Sequence, residues 1–234
     1  MLGLDTSKPV TKNEFEALLQ GRHPETGKKL AQRIRQDRRP GIDFTFSVPK
    51  SLSIVWAATK DERILDALRE TVRETMAKDV EPLIHRRVRD GANANTTNRK
   101  QTGNMVYADF LHKTSRPVDG VVDPHLHCHA FALNITMEKN RCFAAEYAEA
   151  MRQLPSLQAK FDARLAKRLE SELGYAVEKV AFKQSGRMKT GWELKGISRS
   201  TIEKFSLRTK QIEDAAAAEG ITDAEAKSLS LIHI

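Results

Sequence analysis

The sequence is poor in cysteine and in aromatic residues, and it has no long apolar run. Its 234 residues include two cysteines, Cys128 and Cys142, both in strand-like surroundings. That is too few for a disulfide framework, and a reducing compartment is expected. No apolar stretch approaches the ~20 residues of a membrane span. The N-terminus has no basic-then-apolar leader, so a cytoplasmic chain without membrane insertion is expected. Aromatic residues make up 6%, and tyrosine occurs three times, at Tyr107, Tyr147 and Tyr175. No internal repeat and no interdomain linker is visible. With 40% hydrophobic and 30% charged residues, the composition is that of a globular protein of one large or two small domains.

Acidic residues are the minority charge: 31 Asp and Glu face 39 Lys and Arg, for a net charge of +8. The imbalance is concentrated. From Leu83 to Arg116, seven basic residues (Arg86, Arg87, Arg89, Arg99, Lys100, Lys113 and Arg116) stand against Asp90 and Asp109. A basic segment of this kind suits a polyanionic partner. The polar run Gly91 to Gly103 reads as a flexible loop within it, one that would order on DNA.

Histidine is concentrated too. Four of the seven histidines lie between positions 112 and 129. The run Asp123-Pro124-His125-Leu126-His127-Cys128-His129-Ala130 leads into the apolar Phe131-Ala132-Leu133-Asn134-Ile135-Thr136. Side chains alternate along a strand, so His127 and His129 share one face. Two imidazoles on one face, joined by a donor from a neighbouring strand, make a metal site, and imidazole is the commonest metal-binding side chain. His112, at the end of the apolar run that starts at Met105, is the candidate third donor. His125 shares the alternation but follows a proline at the strand's start, and reads as a neighbour of the site.

The remaining pattern suggests an α+β chain. Thr11-Lys12-Asn13-Glu14 is a capping box that opens a short helix ending near Gly21. Gly27 to Arg39 reads as a basic loop with a helical turn. Ile42 to Phe46 alternates like a strand, and Leu52 to Trp56 fits either a strand or a helix. Asp61 opens a helix to about Ile84, with Ile64, Leu68, Val72 and Val80 on one stripe. Met105 to His112 and His127 to Thr136 read as core strands. Ser156 caps a helix bearing Leu157, Phe161, Leu165, Leu169 and Leu173, which Gly174 stops. Tyr175 to Phe182 and Trp192 to Leu194 read as a strand pair around a turn-rich segment, and Ser200 to Ala218 as a last helix. Trp56, Trp192 and Tyr107 read as packed side chains.

Several blocks together resemble the relaxase domain of MobF-type conjugative relaxases, the TrwC and TraI class. They are Gly41-Ile42-Asp43-Phe44-Thr45-Phe46-Ser47-Val48-Pro49-Lys50-Ser51-Leu52-Ser53, then His112-Lys113-Thr114-Ser115-Arg116, then Asp123-Pro124 with Leu126-His127-Cys128-His129. Trp192-Glu193-Leu194 and Phe205-Ser206-Leu207-Arg208 resemble later family features. The likeness extends from about Leu2 to Glu213. It implies a central antiparallel β-sheet covered by helices, as in HUH endonucleases. It further implies metal-dependent, strand-specific nicking of origin-of-transfer DNA through a 5′-phosphotyrosyl intermediate.

Residue by residue, the resemblance makes His112, His127 and His129 the metal ligands and Asp43 the supporting acid. An acid inside an apolar strand is costly without a partner. Asp43 suits either the orientation of an imidazole or acceptance of the tyrosine proton. Lys50, Lys113 and Arg116 are candidate phosphate contacts. The divalent ion is expected to be Mg, Mn or Zn, with Ni and Cu also compatible with three histidines. The expected partners are single-stranded origin DNA, relaxosome accessory proteins and a coupling protein.

Two departures from the family pattern bear on these expectations. The loop between Arg116 and Asp123 is longer, with Val118 to Val122 inside it. The family's catalytic tyrosines stand upstream of the position matching Leu2, so Met1 reads as an internal methionine. The chain then holds the metal site without its nucleophile. Residues 1–228 read as the relaxase domain, and Leu229 to Ile234 as translated sequencing-adapter read-through. One alternative is a catalytically inactive metal-binding module for single-stranded DNA. The other is a small-molecule histidine metalloenzyme. Cupin-like chemistry wants a glutamate shortly after the histidine pair, and Ala130 to Thr136 has none. The amidohydrolase pattern needs more βα repeats than this length holds.

Overall fold

The structure is a computed structural model, and it describes residues 2–31, 38–89, 97–184 and 187–218. The expected helical turn before Arg39, the tip of the basic loop and the segment from Leu229 to Ile234 lie wholly or partly outside these residues. The chain divides into two compact units. One comprises Met1–Phe46, Arg69–Phe110 and Cys128–Phe161; the other comprises Ser47–Leu68, Leu111–His127 and Asp162–Ile234.

A three-stranded sheet carries the residues of interest. Its strands are β1 (Gly41–Ser47), β4 (Tyr107–Thr114) and β5 (Pro124–Leu133), with β5 in the centre. The N–H of Val48 bonds to Leu126 O, and the N–H of Asn134 to Pro40 O. As one chain number rises the other falls, so β1 and β5 are antiparallel. Ser115 N–H to Asp123 O and Leu133 N–H to Val106 O give the same sense for β4 and β5. The sheet is sided by alternation. Phe44, Phe46, Leu126, Cys128, Ala130 and Ala132 are buried, whereas Asp43, Thr45, His127 and His129 lie on the more open face.

In the first unit, helix α1 (Lys12–Leu19) starts at Thr11 with both bonds of the capping box formed. Its Phe15 ring meets Phe110 and Phe131 edge-on, with centroids 5.3 and 6.0 Å away. Leu2, Leu18, Leu133 and Ile135 form a buried cluster beneath it. Burying such aliphatic side chains contributes about 1.5–3 kcal/mol each before entropy is counted. Gly41 opens β1 so close to its neighbour that a β-carbon there would collide with the Ala132 carbonyl oxygen and the Phe131 ring.

In the second unit, Leu52 to Trp56 belongs to helix α2 (Lys50–Thr59), which packs on β9 (Arg187–Leu194) and α6 (Arg199–Lys204). The ambiguity of that run resolves as helix because it is buried on several sides, with Ser51, Leu52, Ser53, Ile54 and Trp56 all buried. β9 pairs antiparallel with β8 (Val177–Gln184) from Val177 opposite Leu194 to Gln184 opposite Arg187. The segment expected to be turn-rich is therefore mostly strand.

Other boundaries also move. The stripe Ile64, Leu68, Val72 and Val80 is fully buried, but helix α3 (Glu62–Thr75) gives way to a π turn at Met76–Val80 and a 3-10 turn at Glu81–Leu83. β5 begins at Pro124, three residues before the expected start, which puts His125 within the strand. Helix α5 (Leu154–Leu173) begins two residues before Ser156. The last helix is two: α6, and α7 (Leu207–Ala218). The basic loop contains an antiparallel pair, β2 (His85–Arg89) and β3 (Thr97–Gln101). Glu138 accepts from Arg86 Nε at 2.6 Å and pairs with Lys100, while Glu146 accepts from Arg87 Nε at 2.7 Å. These pairs bind Arg86, Lys100 and Arg87 within the first unit.

Candidate metal centre

His112 ends the apolar part of β4, and His127 and His129 alternate along β5 on its open face. Each of these three imidazoles presents a ring nitrogen within 4.8 Å of the others; His112 is exposed, and His127 and His129 are half-buried. The His112 and His127 rings stand perpendicular with centroids 5.0 Å apart. Strand alternation brought His127 and His129 together, and β4 supplied the third ring, as the sequence suggested.

Hydrogen bonds orient two of the rings. Nδ1 of His129 lies 2.6 Å from Oδ2 of Asp43. Nδ1 of His127 lies 3.0 Å from the His125 carbonyl oxygen. Both partners are acceptors, so each Nδ1 carries the proton in this arrangement, and each Nε2 carries the lone pair suited to a cation. The donor set therefore fits a divalent metal.

Thr45 was missed in the sequence. Its hydroxyl is 3.1 Å from Asp43 Oδ2 and 3.2 Å from His129 Nδ1, tying acid and imidazole together. The available signal was its spacing: Thr45 is two residues from Asp43, hence on the same face of β1. His125 stacks on His127 with centroids 4.6 Å apart and planes 30° from parallel. Burial, aided by His127 and Lys50, lowers its pKa to about 4, so this fourth ring is neutral near pH ~7.

The candidate phosphate contacts occupy three different settings. Lys50 Nζ donates to Pro124 O at 2.8 Å, and burial lowers its pKa. Lys113 is exposed, with its ammonium 5.1 Å from the centre of the buried Trp56 ring. Arg116 is exposed. It precedes a tight turn in which Asp119 and Gly120 both have positive φ, and Val118 and Val121 exchange backbone bonds of 2.8 Å. Two successive positive φ values describe a type I′ turn, so the longer loop is a closed hairpin tip.

Two of the three tyrosines are hydrogen-bonded elsewhere, and the third lies on the other face of β4. Tyr147 is buried and donates to Leu133 O at 2.5 Å. Tyr175 donates to Asp61 at 3.0 Å. Tyr107 lies an odd number of residues from His112 on β4, on the opposite face, and burial raises its pKa.

Comparison with known proteins agrees with this geometry. Two multifunctional conjugation proteins TraI of Escherichia coli, one from strain K12, are 34% and 32% identical over 223 and 229 residues. Each match covers 93% of this chain and 12% of the relative, so the chain spans a small part of their length. A copper-bound structure of the conjugative relaxase TrwC with oriT DNA superposes at a TM-score of 0.80, with 32% identity over 98% of this chain and 76% of that one. A TrwC complex with a 27-mer DNA comprising the recognition hairpin and the cleavage site gives 0.79, with 32% identity over 97% and 77%. The TrwC relaxase family model matches residues 1–231, and the chain belongs to that family.

Proposed function

We propose that this domain nicks single-stranded DNA at an origin of transfer, joining the 5′ phosphate to a tyrosine and so initiating conjugative transfer. The observation that carries the reading is the His112, His127 and His129 cluster backed by Asp43, in a chain of the TrwC relaxase family. Solved TrwC structures hold oriT DNA, with metal bound in some of them.

The three histidines would hold a divalent cation through ring nitrogens. Bound there, the cation supplies charge stabilisation for the phosphate oxygens of the scissile bond. An all-imidazole set favours a transition metal such as Zn, Ni or Cu over Mg, which prefers oxygen ligands. Asp43 fixes the tautomer and plane of His129, and Thr45 holds Asp43 in place. This favours orientation as the role of Asp43 over proton acceptance. Lys113 and Arg116, both exposed, are the cations we assign to phosphate. Relaxosome accessory proteins, a coupling protein and a cytoplasmic setting follow from the same reading.

The engaged tyrosines support a nucleophile supplied from outside these 234 residues. They also favour a second reading, a metal-binding module for single-stranded DNA without strand transfer. Labelled single-stranded oligonucleotides tiling the source DNA, incubated with Mn²⁺ and the product of the complete source gene, separate the two. A denaturant-resistant protein–DNA adduct, absent in His127→Ala, is the expected result. Tight DNA binding with no adduct would leave the binding module.

A further inference from the structure

The start of β5 is held from four directions by residues of the quoted sequence blocks that metal binding does not use. Asp123 is buried, at 4% exposure, and its Oδ2 accepts the N–H of Leu207 at 2.7 Å, at the first turn of α7. Asp123 also exchanges backbone and side-chain bonds with Ser115, three residues after His112: Ser115 N–H to Asp123 O at 3.0 Å and Asp123 N–H to Ser115 Oγ at 3.2 Å. Lys50 Nζ donates to Pro124 O at 2.8 Å, and Ser53 Oγ accepts Leu126 N–H at 3.0 Å. The same helix turn reaches β9, where Ser51 Oγ accepts Leu194 N–H at 2.7 Å and Glu193 accepts Ser51 N–H at 3.0 Å. All of these groups lie within one compact unit.

We infer that Asp123, assisted by Lys50, is a positioning residue that fixes where the histidine strand leaves the joint between β4, α2 and α7. A carboxylate at a helix N-terminus satisfies an orphan N–H and favours the helix dipole. Here that carboxylate stands two residues before His125 and four before His127. Shifting it would tilt the strand whose alternation presents the rings. The bonds of Asp123 run to Leu207 and Ser115, so it acts through the backbone. Lys50 belongs to this framework, with its ammonium used on Pro124 O.

The inference rests on the metal reading only for its consequence, and the test separates the two. Hydrogen exchange of the metal-free full chain is compared with Co²⁺ titration for the parent, Asp123→Ala, Asp123→Asn and Lys50→Met. Asp123→Ala should speed exchange about tenfold or more at residues 125–129 and 207–211, leaving α1 and β8–β9 unchanged. It should also weaken Co²⁺ binding about tenfold and alter the visible Co²⁺ band. Asp123→Asn, which keeps an acceptor oxygen, should restore both. Lys50→Met should reproduce the effect more weakly at 125–127, and it carries the test if Asp123→Ala does not fold. Parental exchange at 125–129 in both Asp123→Ala and Lys50→Met, or uniform loosening throughout the chain, would overturn the inference. Local loosening in Asp123→Ala, beside a parent that binds no Co²⁺, would uphold it and overturn the metal site instead.

Discussion

Oδ2 of Asp43 on β1 and Nδ1 of His129 on β5 are 2.6 Å apart, closer than an ordinary N–H···O bond. Outer partners of this kind typically change metal affinity by about 10–100-fold when removed. Asp43→Ala should therefore weaken Co²⁺ or Zn²⁺ binding by about that factor with the fold intact by circular dichroism. Parental affinity in a competition titration would show that the carboxylate does not orient His129.

His127→Ala removes the ring in contact with both His112 and His125. Metal binding should be lost, whereas affinity for non-specific single-stranded DNA should stay within about threefold of the parent, because phosphate contacts dominate such affinity. Fluorescence anisotropy with and without Mn²⁺ measures both. A parallel collapse of DNA binding would mean that the ring contributes directly to the DNA surface.

Cys128 is fully buried behind the histidine face, and burial, with Asp109 nearby, pushes its thiol up to about 12. The thiolate is the reactive form. Because the pKa is raised, the thiol stays protonated until the pH approaches that value, so little of it is the reactive anion at pH ~8. Iodoacetamide should label the half-buried Cys142 first in native protein and both cysteines in denaturant. Mass spectrometry of the labelled peptides checks the order, and prompt native labelling of Cys128 would contradict its burial.

Gly41→Ala places a methyl group against the Ala132 carbonyl and the Phe131 ring, where the backbone must yield. Overpacking costs typically about 1–3 kcal/mol, read as a lower urea midpoint with an unchanged slope. Because Gly41 opens the strand bearing Asp43, metal affinity should fall with it.

What the sequence disclosed divides along a physical line. The capping box at Thr11, the stripe from Ile64 to Val80 and the alternation of His127 and His129 depend on near neighbours and on a single period, so they could be read directly. The β2–β3 pair could not be read, because its charged side chains look like loop until Glu138 and Glu146, distant in sequence, arrive to pair with Arg86, Lys100 and Arg87. The break between α6 and α7 was hidden for the same reason. The acceptor that receives the first N–H of α7 is Asp123, 84 residues away. Three histidines and Asp43 were legible, while Thr45 and Asp123, which hold them, act through geometry that only the folded chain displays.

Strand β5 is written in two interleaved alphabets: its even positions from Leu126 to Ala132 are buried, and its odd positions include His127 and His129. Deleting or inserting a single residue between His127 and His129 would put the two imidazoles on opposite faces and turn buried positions on one side of the change outward. Length change in this stretch is therefore tolerable only in pairs of residues. Divergence among descendants of this chain should be confined there to replacement, with gain and loss of residues displaced to the hairpin tip between Arg116 and Asp123.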